Sequence, residues 1–157
     1  MKSKIVVIKK KPVKLVEALS HILADTYMVY LKTQNFHWNV ISPHFYSLHK
    51  LFEEQYKQLA EALDVIAERI RALRARAPGS FTEYLKLTSL HEAHGYPDSD
   101  KMVMELLHDH EHLAKNLHEA MQVAKDHDDE VTMDLFIERK TEHDKTAWML
   151  RSILGRS

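Results

Sequence analysis

The chain has no cysteine, and only three glycines and four prolines interrupt its 157 residues. The missing thiols exclude a disulfide framework, an iron–sulfur cluster and any cysteine-ligated zinc site. They are also what a protein of the reducing cytoplasm would show. The shortage of glycine and proline, beside abundant Leu, Ala, Glu, Lys and His, excludes a turn-rich sheet protein and points to long helices. Long apolar runs are lacking too. The stretch Ile5–Ile8 is too short for the core of a signal peptide, and nothing reaches membrane-spanning length. We therefore expect a cytoplasmic chain with no membrane contact.

Hydrophobic residues make up 45% of the sequence, enough for one compact domain. Twelve histidines are an excess for such a domain, and most read as solvated helix surface. The net charge of −1 conceals an uneven distribution. Lys2, Lys4, Lys9, Lys10, Lys11 and Lys14 lie in the first fourteen residues, which hold no acid. Of the 22 basic side chains these are six, which leaves 16 against 23 acidic ones, a balance of −7. A basic tail on an acidic body is the pattern to explain. We read residues 1–11 as a flexible lysine-rich tail and 12–157 as the folded domain. Such lysines neutralise phosphates without reading sequence, so non-specific DNA binding, with association to the nucleoid, is one expectation. A tail that only solvates or packs on a neighbour is the other.

Apolar residues recur at helical spacing in four long stretches. The first runs through Leu15, Leu19, Ile22, Thr26, Val29, Thr33 and Phe36. The second follows Ser42-Pro43, read as N-cap and first helical position, through Leu48, Phe52, Tyr56, Leu59, Leu63, Ile66, Ile70 and Leu73, until Pro78-Gly79 stops it. Ser80-Phe81-Thr82-Glu83 matches a capping box and opens a short helix. Asp98 to Asp100 cap the third long helix, with Val103, Leu106, Leu113, Leu117, Ala120 and Ala124. The fourth shows Val131, Leu135, Met149, Leu150 and Ile153, with Gly155 as its stop. The first and last connections are short, so those helix pairs are antiparallel. The middle one is about 20 residues and can travel the length of a bundle. The expected fold is all-α: a ferritin-like four-helix bundle with a short helix in its long crossover.

The second helix carries His49 with Glu53, and Asp64 with Glu68, each pair four apart and so on one face. His37 ends the first helix. Carboxylates with imidazoles and no thiolate suit iron or manganese and tolerate zinc. One chain cannot gather all five. His49 and Asp64 are separated by roughly 22 Å, and Glu53 and Asp64 by about 16 Å, at ~1.5 Å rise per residue. A metal–ligand bond is about 2 Å. Two copies of the helix, antiparallel across a twofold axis, bring Asp64 and Glu68 of one to His49 and Glu53 of the other, giving two identical sites per dimer. Taken singly, each residue also reads as ordinary surface charge. Glu105-x-x-His108 has no mate on a second helix, which argues against an intrachain di-iron centre. Glu105, His108, Asp109 and His112 are a further candidate zinc set.

The runs Asn35-Phe36-His37-Trp38-Asn39-Val40, Phe45-Tyr46-Ser47-Leu48-His49, Phe52-Glu53-Glu54-Gln55-Tyr56 and Asp64-Val65-Ile66-Ala67-Glu68-Arg69-Ile70 strongly resemble the Dps family of mini-ferritins, as does Asp144-Lys145-Thr146-Ala147-Trp148. The resemblance covers nearly the whole chain. It implies a hollow homododecamer with paired ferroxidase sites at each dimer interface. Iron(II) is then oxidised, typically by hydrogen peroxide, and stored as ferric mineral, sparing DNA from oxidative damage. His37, His49 and Glu53 would come from one subunit, Asp64 and Glu68 from its twofold mate. Many members have Asp at the position of Glu53. The family places ferritin-like pores where Asp126, Asp128, Asp129, Glu130 and Asp134 cluster here, and such acids focus cations. Two rival readings are a nucleoid-packing protein with little catalysis and a histidine-rich zinc or copper buffer.

Overall fold

The computed structural model describes residues 12–156, and among these all regular structure is helical. The elements are α1 (Val13–Asn39), α2 (Phe45–Ala72), α3 (Phe81–Leu87), α4 (Ser99–Asp126) and α5 (Glu130–Ile153). The antiparallel pairs α1/α2 and α4/α5 make the most extensive contacts, α1 packs on α4, α2 on α5, and α3 lies against α1 within the crossover. This is the expected four-helix bundle. None of the described helices is long and apolar enough to cross a membrane. Lys2, Lys4, Lys9, Lys10 and Lys11 lie outside the described residues, and Lys14 is exposed on the first turn of α1.

Every residue of the expected stripes on α1 and α4 is buried. Fully burying each such Leu, Ile or Phe contributes about 1.5–3 kcal/mol, so these faces drive the packing. The core divides into two clusters. One is built around Leu19, Val29, Ile66, Leu113 and Phe136, the other around Phe36, Phe52, Leu106 and Leu150. Between them, along each long helix in turn, come the buried polar residues Thr33, Gln55, His110, Arg139 and His143.

That layer explains the one stripe that fails. On α5, Val131 is 64% exposed and Ile153 46% exposed. The buried face instead carries Thr132, Leu135, Phe136, Arg139, His143, Thr146, Ala147 and Leu150. It keeps helical spacing, but half of it is polar, so an apolar period cannot find it.

The helix ends differ from expectation in two places. α2 begins at Phe45, because Ser42-Pro43 form a turn: the Phe45 N–H donates to the Ser42 carbonyl at 3.0 Å and the His44 N–H to Ser42 Oγ at 3.1 Å. α2 then stops at Ala72, before Pro78-Gly79. Arg74 adopts φ 63°, the Arg74 N–H donates to the Arg71 carbonyl at 2.9 Å, and the Ala75 N–H to the Ile70 carbonyl at 3.2 Å. This is the paired-bond helix stop that usually uses glycine. Asp128 (φ 52°) ends α4 in the same way and Gly155 (φ 67°) ends α5. The capping box holds, with Ser80 Oγ accepting from the Glu83 N–H, while Glu83 reaches back one residue further, to the Gly79 N–H at 3.0 Å.

Candidate metal centre

The last turn of α1 lies beside the first turns of α2, and this places His37 against His49. Their rings stack with centroids 3.9 Å apart and planes 17° from parallel. Phe45 stacks on the outer face of His49 at 4.9 Å, and Tyr56 meets His37 edge-on at 5.2 Å. The hydrogen bonds are reciprocal. His37 Nδ1 donates to the His49 carbonyl at 2.8 Å, and His49 Nδ1 donates to the His37 carbonyl at 2.8 Å. A carbonyl can only accept, so both Nδ1 atoms carry hydrogen. In the neutral rings both Nε2 atoms are then unprotonated, which is the form that ligates a metal. The sequence located both histidines. The mutual carbonyl bonds, and the roles of Phe45 and Tyr56, emerge only from the packing.

Glu53 follows His49 by one turn of α2. Its Oε1 accepts from Lys57 Nζ at 2.8 Å and its Oε2 from Lys50 Nζ at 2.9 Å. Lys57 and Lys50 together hold the carboxyl down to about 2. It is a carboxylate throughout the physiological range. Asp64 and Glu68 are exposed further along α2, which runs unbroken from Phe45 to Ala72. Among the described residues no three His, Asp or Glu side chains converge closely enough to hold an ion. One chain therefore brings His37 and His49 together, with Glu53 one helical turn beyond His49, and leaves Asp64 and Glu68 apart from them. Several large apolar side chains flanking the pair are exposed: Trp38 (63%), Ile41, Phe45 and Tyr46, with Val65 beside Asp64.

The second candidate set does not assemble. Asp109 is buried, 2.8 Å from Lys32 Nζ, and His112 Nε2 meets Ser89 Oγ at 2.9 Å, while His108 is exposed. Burial pushes the Asp109 carboxyl up, and Lys32 opposes this.

Of the acids near the α4–α5 turn, Asp126, Asp128, Glu130 and Asp134 are exposed. Asp129 is committed elsewhere. It caps α5 by accepting from the Thr132 N–H at 2.9 Å, and it accepts two bonds from Arg69 Nη2 at 2.7 and 2.8 Å. Asp129 therefore braces α2 against α5 rather than presenting a free charge.

A family model described as a ferritin-like domain matches residues 16–157. DNA protection during starvation protein 2 of Bacillus anthracis is 39% identical over 140 residues, spanning 89% of this chain and 96% of the relative. The crystal structure of Dps from Staphylococcus aureus matches with a TM-score of 0.88 at 37% identity, over 90% of this chain and 95% of that one. Dps from Vibrio cholerae, described as a member of a broad superfamily of ferritin-like diiron-carboxylate proteins, matches with a TM-score of 0.89 at 30% identity, over 98% and 99% of the two chains.

Proposed function

This chain belongs to the Dps family of ferritin-like proteins, and from that premise we propose that it is a ferroxidase which oxidises ferrous iron and stores the ferric product in a shell of twelve subunits. The observation that carries the reading is the His37–His49 pair. Two rings with both Nδ1 atoms fixed on carbonyls, which leaves each Nε2 as the ligating nitrogen of the neutral ring, are half of a metal site, built in advance. The other half comes from Asp64 and Glu68 of a second copy. Glu53–Asp64 and His49–Glu68 are both centred between Gln58 and Leu59, so a single twofold axis beside that point satisfies both pairings. The exposed Trp38, Ile41, Phe45, Tyr46 and Val65 supply apolar surface for such a contact.

The chemistry follows from the ligands. Imidazoles lend affinity without charge, and carboxylates favour the ferric over the ferrous state. Two ferrous ions each give one electron to one hydrogen peroxide. Its O–O bond breaks, and with two protons it leaves as two waters, so no hydroxyl radical is released. Removing both iron(II) and peroxide protects DNA, in keeping with the starvation-protection name of the Bacillus anthracis relative. Zinc fits the same donors as a substitute. Asp126, Asp128, Glu130 and Asp134 would draw cations to a pore. The chain is placed in the cytoplasm, and lysines 2–14 supply non-specific DNA contact at the nucleoid, sensitive to salt.

The test is Asp64→Ala with Glu68→Ala. Both side chains are exposed on the single chain, so the fold stands while rapid peroxide-driven oxidation of iron(II) is lost. Unchanged kinetics in an assembled double variant would refute the assignment.

A further inference from the structure

We propose that Lys50 and Lys57 are positioning residues that clasp Glu53 and make it a releasable ligand, so that the site takes iron(II) up weakly and passes it on. This inference rests on the ferroxidase reading above.

The three site residues of one protomer are held very differently. His37 and His49 are locked by packing and by each other's backbone. Glu53 is held only by two flexible, exposed side chains, one on each carboxylate oxygen. The arrangement is selective. Lys50 has Glu54 available four residues on, and Lys57 has Glu54 three residues back and Glu61 four residues on. Both lysines choose Glu53 instead. They approach it from opposite sides along the helix, at i−3 and i+4, so together they occupy both oxygens.

An iron ion bound to either oxygen would sit about 2 Å from it. Each ammonium is already within 2.9 Å of its own oxygen. The ion would therefore lie only a few ångströms from two like charges. Binding through Glu53 requires the lysines to swing away, and their return competes with the metal for the same oxygens. Exposed ion pairs of this kind are weak. The clasp therefore lowers affinity by a modest factor and leaves the site open. That suits a site whose product must leave for the store, since a cage of rigid ligands would retain it.

The test is anaerobic titration with cobalt(II), which occupies imidazole–carboxylate sites without being oxidised by the protein. The assembled wild type is compared with K50Q/K57Q, E53Q and the triple variant E53Q/K50Q/K57Q. The expected result is about fivefold tighter binding in K50Q/K57Q, no such gain when Glu53 is also neutralised, and wild-type affinity restored in K50R/K57R. An equal gain with and without Glu53 would mean that the lysines act only as distant charges, and would overturn the clasp. So would no gain at all. If wild type and H37A/H49A bind cobalt(II) equally poorly, the metal-site reading itself fails. That outcome is distinct from a functional site indifferent to its lysines.

Discussion

The bundle contains two histidine pairs, and they use the same ring in opposite ways. In His37–His49 each Nδ1 bonds a backbone carbonyl, so both rings present a free Nε2. In His110–His143 the two Nδ1 atoms bond each other at 2.8 Å, between α4 and α5, and both Nε2 atoms are buried without a partner. One Nδ1 there must donate and the other accept, so as neutral rings the two are opposite tautomers. Burial holds both below the ordinary imidazole range, His110 to about 3, with Arg139 acting in the same direction and His110 adding to the effect on His143. A ring whose Nδ1 is fixed by a backbone carbonyl keeps its Nε2 for another partner. Two rings that bond each other directly, Nδ1 to Nδ1, become part of the core.

Four expected outcomes test this contrast. The largest effect belongs to the outer pair. H37A/H49A should lose at least about 100-fold in cobalt(II) affinity, measured by anaerobic titration, with a smaller fall in melting temperature than H110A/H143A. H110A/H143A should show the larger fall in melting temperature and near wild-type cobalt(II) affinity. If the inner double variant were fully stable yet unable to bind metal, the assignment of the two pairs would be inverted.

Next in size is His143→Ala. It leaves a cavity and strands a buried nitrogen of His110, and should cost about 3 kcal/mol by denaturant unfolding. H110L/H143L removes both polar partners and fills the space, so most of that loss should be recovered. A leucine pair as unstable as the single alanine would show that the mutual bond itself holds the bundle.

Acid provides a third test. The unfolded chain protonates these histidines near 6.5, whereas the folded chain resists down to about 3 for His110 and keeps His143 low as well. Below pH 6.5 the unfolded state therefore binds more protons. Stability is full above about pH 7 and falls as pH drops toward 3, by roughly 1 kcal/mol per pH unit per histidine. Unfolding titrations of H110L/H143L between pH 7 and 4 should show a flatter slope than wild type, and an unchanged slope would remove the inner pair as its source.

The smallest effect concerns delivery to the outer pair. D126N/D128N/D134N should slow iron uptake about twofold to fivefold at low ferrous concentration, with the difference fading at high salt as the charges are screened. Asp129 is excluded from this set because Arg69 already neutralises it. Uptake equal to wild type at every ionic strength would remove the pore role.

How much of this was legible in the sequence differs between the pairs. His37 and His49 stand in a dense run of family-like residues, and the 22 Å argument already divided the ligands between two chains. Their mutual carbonyl bonds were not legible, because they depend on how the end of α1 docks on the start of α2. His110 and His143 were invisible. They sit on faces read by apolar period, and α5 buries Arg139 and His143 while exposing Val131 and Ile153. The lysine clasp could have been read from the i−3 and i+4 spacing around Glu53. The early stop of α2 could not, because an arginine rather than a glycine adopts the left-handed conformation there.

The polar layer across mid-bundle also fixes how the helices can slide. A stripe of leucines is nearly self-similar after one turn, so α5 could in principle shift along α4 by about 5.4 Å and still meet oil with oil. With Arg139 and His143 in that face, the same slip would move both into one of the two apolar clusters and leave His110 facing hydrocarbon. The slip would break the Nδ1–Nδ1 bond and strand both of its nitrogens, at a cost of about 1–3 kcal/mol. The layer thus works as a registration mark, and the α4–α5 turn that carries Asp126 and Asp128 is set at one fixed height relative to α2, where His49, Glu53, Asp64 and Glu68 stand.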